Sequence, residues 1–100
     1  MEMLPLLEYT PSRILKSVHV RVFSPDAEKV AITGDFSNWH EEGQPLSRGR
    51  WGIWYTTIKL LPGDYQYRLR IDNQWADHDD AAERVPNLFG GENCILSVEG

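Results

Sequence analysis

From position 18 onward the apolar residues recur with a period of two inside short runs, and turn formers separate those runs at short intervals. A side-chain period of two belongs to strands with one buried and one solvated face, so a chain built this way folds as stacked sheets. The clearest run is Tyr65 to Ile71, where Tyr65, Tyr67, Leu69 and Ile71 share one face and Gln66, Arg68 and Arg70 the other. Side-chain chemistry sends the tyrosine face inward. Val18 to Phe23 repeats the pattern, with Val18, Val20 and Val22 opposed to His19 and Arg21, and Ser24-Pro25-Asp26 closes it as a turn. Lys29 to Thr33, Gly52 to Leu60 and Asn93 to Val98 complete the set, the last alternating Cys94, Leu96 and Val98 with Asn93, Ile95 and Ser97. The expected fold class is all-β, a β-sandwich, with Cys94 as a small buried hydrophobe.

One hundred residues hold one such core and no second one. We expect a single sandwich domain over residues 18–100, preceded by an N-terminal arm, residues 1–17, that stays unassigned. In that arm Thr10-Pro11-Ser12 could start a short helix reaching Lys16, or the segment could be extended. Ser37 to Arg50 and Ala76 to Glu92 read as long loops rich in turn formers and polar groups, and loops of that length are more often functional than idle.

Ten Lys+Arg against fifteen Asp+Glu give a formal net charge of -5, without the positive field that draws a chain to phosphate backbones or anionic lipid. Neither nucleic acid nor membrane is an expected partner. The N-terminus has no basic stretch before its apolar residues, and no later run approaches the length of a membrane span. A lone cysteine forms no internal disulfide, and no Cys/His grouping has zinc spacing, so no metal or cofactor is expected and a reducing, cytoplasmic setting is the simplest one.

Four tryptophans pose the question of which lie inside. Trp51 and Trp54 sit in an apolar strand and are assigned to packing. Trp39 stands among turn formers and charges, and taken alone it is equally a loop tryptophan tucked under the domain. Asp72-Asn73 is a two-residue hairpin turn that pairs Ile71 with Gln74 and Arg70 with Trp75, which places Trp75 on the outward face beside Arg68 and Arg70. An outward indole beside hydrogen-bonding groups suits a ligand with an apolar face and polar edges, and a pyranose ring is such a ligand. The bland alternative for Arg68 and Arg70 is a solvated face whose aliphatic stems cover the sheet.

Val30-Ala31-Ile32-Thr33-Gly34-Asp35-Phe36-Ser37-Asn38-Trp39, Leu61-Pro62-Gly63-Asp64-Tyr65-Gln66-Tyr67-Arg68, Asp72-Asn73-Gln74-Trp75 and Phe89-Gly90-Gly91-Glu92-Asn93 occur in that order. Together they resemble carbohydrate-binding module family 48, which includes the glycogen-binding domain of the AMP-activated protein kinase β subunit and the early-set domains of isoamylases and branching enzymes. The resemblance implies an immunoglobulin-like, early-set sandwich that binds α-glucans such as glycogen or starch without catalysis. Carried over position by position, it implies that Trp39 and Trp75 stack on the sugar and that Arg68 takes the place of the family's basic residue. It further implies that Phe89, Gly91 and Asn93 take the places of a projecting leucine and two polar contacts. Gly91 has no hydroxyl to offer.

Glycoside hydrolysis needs a carboxylate pair flanking a cleft. Asp77, Asp79 and Asp80 lie instead in one polar loop with His78, where a hydrated acidic cluster is the ordinary reading, and no nucleophile motif surrounds His19 or His40. No enzyme activity is expected. The alternative to a sugar site is an early-set accessory or protein-interaction domain, free-standing or attached to a glucan-active enzyme or kinase, that docks a protein partner through its arm or an edge strand.

Overall fold

The computed structural model describes residues 14–79, 81, 83–88 and 90–99. In chain order the strands are β1 (Lys16–Phe23), β2 (Val30–Gly34), β3 (Gln44–Pro45), β4 (Ser47–Arg48), β5 (Ile53–Leu60), β6 (Gly63–Ile71), β7 (Gln74–Ala76), β8 (Glu83–Pro86) and β9 (Glu92–Val98). All pairings among these strands are antiparallel. One sheet runs β1-β5-β4; the other runs β3-β2-β6-β9-β8, with β7 also paired to β6.

The two sheets close on one apolar cluster. Val20, Val22 and Trp54 come from the first sheet; Val30, Ile32, Tyr67, Leu69 and Cys94 come from the second. Strand alternation supplies these positions: Tyr67 and Leu69 are buried while Arg68 and Arg70 between and beyond them stay partly exposed. β2 is buried throughout: β6 and β3 flank it in the sheet, Val30 and Ile32 face the core, and the chain that follows it folds back over its other face, where the Thr33 hydroxyl donates to the His40 carbonyl at 2.7 Å. The all-β sandwich and the inward tyrosine face of β6 are therefore as the periodicity requires.

Asp72 and Asn73 both adopt the left-handed conformation, φ 51° and 68°, as a two-residue type I′ turn demands. The resulting register sets Ile71 opposite Gln74 and Arg70 opposite Trp75, as the sequence predicts. The Asp72 carboxylate also accepts hydrogen bonds from the Glu28 and Lys29 amides at 2.8 and 2.9 Å, fastening the hairpin to the β1–β2 connection.

Three expectations are corrected. The long loops carry strands: β3 and β4 lie within 37–50, and β8 within 76–92. Two-residue strands cannot display a period, and between β3 and β4 the chain changes sheets around Leu46, whose side chain is buried at the junction. β8 is a polar edge strand ending in Pro86, a composition that edges favour and sequence periodicity ignores. Trp51 is not packed but 85% exposed. It sits in a single 3₁₀ turn, Arg50–Gly52, with left-handed φ 56°, before β5 begins, so the strand face that buries Trp54 never includes it. The helix considered for residues 10–16 falls mostly outside the described residues, and Lys16 begins β1.

Candidate functional site

The outward face of the larger sheet carries a groove of ≈ 730 Å³. Its floor is the outward row of β6, Gln66 and Arg68, together with Asn93 of the neighbouring β9; Trp39 and Trp75 line it, and Pro86 at the end of β8 and Asn87 and Leu88 of the β8–β9 connection stand beside them. Thus Trp39, Arg68, Trp75 and Asn93, singled out in the sequence, surround one groove. Phe89 lies outside the described residues.

Trp39 is placed by the turn after β2. Gly34 passes so close to β6 that an added Cβ would fall 2.2 Å from the Gln66 carbonyl oxygen and 2.8 Å from the Tyr67 Cβ, so only glycine fits there. A 3₁₀ turn over Asp35–Ser37 follows, then Asn38 and Trp39 at φ 53° and 55°, with the Trp39 amide donating to the Gly34 carbonyl at 3.0 Å. A left-handed backbone at tryptophan is strained, and here it turns the ring out of the strand direction. Asp35 fixes the result from both ends. Its Oδ1 accepts the Trp39 indole N–H at 3.0 Å and its Oδ2 accepts the Gln66 amide at 2.8 Å. The half-buried Trp39 ring is thereby tied to β6, where it lines the groove.

Trp75 is placed by the hairpin. The residue is 43% exposed, and the guanidinium carbons of Arg70 and Arg68 lie 4.8 and 5.9 Å from its ring centroid, within cation–π range. Each arginine is also held by a carboxylate, Arg68 by Asp77 at 3.0 Å and Arg70 by Glu41 at 3.7 Å. Arg68 Nε is buried without a hydrogen-bond partner, so it is not a donor that a ligand in the groove can reach.

A chain of amides forms the far wall. Asn93 Nδ2 donates to Gln66 Oε1 at 3.0 Å, and Asn87 Nδ2 donates to Asn93 Oδ1 at 3.2 Å. Asn87 Oδ1 in turn accepts the Gly91 amide at 3.1 Å. Asn93 is therefore a bracket for the β8–β9 connection as much as a free contact. Leu88, 97% exposed beside the groove, is an apolar projection from that connection. Sequence reasoning does not single out Asp35, Gln66, Asn87 or Leu88 as site residues. A signal for Gln66 exists, since it shares the outward row with Arg68 and Arg70; the others depend on loop paths that no periodicity encodes.

The acidic loop is built differently from a metal site. His78 is fixed between the sheets, its Nδ1 2.7 Å from the Tyr67 hydroxyl and its Nε2 2.9 Å from the Arg21 carbonyl, while Asp77 serves Arg68. Among the described residues no group of three or more His, Cys, Asp or Glu could hold a metal ion, and no helix is long and apolar enough to cross a membrane. What the groove offers is flat indole surface bordered by both donors and acceptors, suited to holding a ring-shaped polyhydroxylated ligand, and its lining residues include no paired carboxylates for bond cleavage.

A family model described as carbohydrate-binding module 48 (isoamylase N-terminal domain) matches residues 7–86. Among curated proteins, the chain is 38% identical over 61 residues to a 1,4-α-glucan branching enzyme of Salinibacter ruber, covering 59% of this chain and 10% of the enzyme. It is 29% identical over 86 residues to the chloroplastic protein PTST homolog 2 of Arabidopsis thaliana, covering 86% of this chain and 15% of that one. Against the β-1 subunit of 5′-AMP-activated protein kinase from Sus scrofa it is 31% identical over 72 residues, 72% of this chain and 56% of the subunit. The chain thus spans only a small part of the branching enzyme and of the Arabidopsis protein, and about half of the kinase subunit.

Proposed function

The chain belongs to carbohydrate-binding module family 48, and from that premise we propose that it is a non-catalytic module that binds α-glucan, glycogen or starch, in the groove lined by Trp39 and Trp75. The observation that carries this reading is the pair of indoles lining one groove together with the Arg68 guanidinium. The C–H faces of successive glucose units stack on the rings, and their equatorial hydroxyls exchange hydrogen bonds with Arg68, Gln66, Asn87 and Asn93. A shallow, open site of this kind contributes on the order of 4–8 kcal/mol, which corresponds to millimolar to micromolar affinity. The names of the relatives point the same way: one is an enzyme that branches 1,4-α-glucan, and this chain resembles a fraction of it.

Native gel electrophoresis through immobilised polysaccharide tests the proposal. Glycogen or amylopectin in the gel should retard the protein in a concentration-dependent way, and dextran, linked α-1,6, should not. Equal mobility in all gels would overturn it.

A further inference from the structure

The chain's fifteen acidic residues are not spread evenly. None falls between residues 9 and 25 or between 43 and 63, and these are the segments that supply every strand of the smaller sheet, β1, β5 and β4. The outward row of those strands instead carries Arg21 and Lys59 together with His19, and Arg50 stands in the turn before β5, while Lys16 and Arg48 share the inward register of Val18 and Trp54. An acidic molecule therefore turns one basic, carboxylate-free face to solvent, on the side of the sandwich opposite the Trp39–Trp75 groove.

The same face exposes large aromatic rings. Trp51 is 85% exposed, Phe23 66% and Tyr55 51%, and Trp51, Tyr55, Arg50, Arg21 and His19 line a second groove of ≈ 440 Å³. Trp51 keeps a left-handed backbone in order to stand there, and the following Gly52, at φ 77°, packs its Cα where a Cβ would lie 2.8 Å from Pro25. Strain at an exposed tryptophan persists where the ring is used. Among the described residues no carboxylate pairs with Arg21, Arg50 or Lys59.

We propose that this face of the β1-β5-β4 sheet is a docking surface for a protein partner that presents clustered carboxylates. Tryptophan, tyrosine and arginine are the residues that dominate protein interfaces, and the depletion of acidic side chains at a basic patch selects the charge of the partner. A sugar is a poorer occupant. Its hydroxyls need acceptors as well as donors, and the residues lining this groove include no Asp, Glu, Asn or Gln, whereas the first groove has Asp35, Gln66, Asn87 and Asn93. A second copy facing it symmetrically would bring like charges together.

The test measures binding of the full chain to a fluorescently labelled random copolymer of glutamate and tyrosine, at low and at moderate salt. Wild type is compared with Trp51→Ala and with the double variant Arg21→Glu/Arg50→Glu, each first shown to melt as a folded protein. Saturable binding is expected, weakened about tenfold or more by salt and about tenfold or more by either variant, and unaffected by saturating maltoheptaose. Absence of binding at low salt, or binding that survives both variants, would overturn the proposal. So would tighter binding to single-stranded oligothymidine, which would make the face a general polyanion surface, or loss of maltoheptaose binding in Trp51→Ala, which would make it a sugar surface.

Discussion

The four tryptophans of this chain meet four different environments, and their substitution separates packing from binding. Trp54 is 5% exposed, donates its indole N–H to the Ser24 carbonyl at 2.9 Å and carries Arg48 over its ring at 4.8 Å. Trp54→Ala should cost about 3–5 kcal/mol in urea denaturation, through the cavity and the loss of one of the two hydrogen bonds that the Ser24 carbonyl accepts. Trp75→Ala should cost less than about 1 kcal/mol by the same measurement, since the residue is 43% exposed. Comparable losses at both positions would contradict the assignment of faces. Gly34→Ala should destabilise by about 1–3 kcal/mol, because the new methyl meets backbone at 2.2 Å rather than a movable side chain. The outward Trp75 is legible in the sequence because a hairpin register fixes it. The exposure of Trp51 is not legible, because it stands before β5 in a left-handed turn to which strand alternation does not apply. Nothing in the sequence foretells the half-buried Trp39, whose position rests on a left-handed backbone and on Asp35 bonding both its indole and β6.

The elements divide by length and by how many of their faces are covered. β1, β5, β6 and β9 run seven to nine residues with one face on the core, long enough for the period of two to be read. β3 and β4 have two residues each, and β8 is a polar edge, so their existence depends on pairing partners far along the chain. The Asp72-Asn73 hairpin is legible to the residue because turn chemistry is local. It also positions Trp75, so its integrity bears on the groove. Asp72→Ala removes the acceptor for two backbone amides and places a Cβ-bearing residue without a polar side chain at φ 51°. We expect a loss of about 1–3 kcal/mol in thermal or urea unfolding, together with weaker sugar binding as the Trp75 ring loses its register. Unchanged stability would contradict the role given to this turn.

The molecule as a whole is a sandwich with two unlike outer faces, one a polar-bordered groove with two indoles and the other a basic aromatic surface. A ligand held by one folded face stabilises the whole domain by mass action. Maltoheptaose at a hundred times its dissociation constant should add about 2.7 kcal/mol to the stability and raise the melting temperature by several degrees. The same addition should leave Trp75→Ala unshifted. The fold class and the part of the groove made by Gln66, Arg68, Trp75 and Asn93 are open to sequence reasoning because they follow from strand alternation and one hairpin. The placement of Trp39, Asp35, Asn87 and the projecting Leu88 is not, because loop paths bring them there. The most direct measurement is a titration of intrinsic tryptophan fluorescence with maltoheptaose, comparing wild type with Trp39→Ala and Trp75→Ala. A saturable change in the wild type that either substitution abolishes is the result expected of a glucan stacked on those two rings. A folded wild-type protein whose emission stays constant up to millimolar sugar, or a saturable change that persists in both variants, would contradict it.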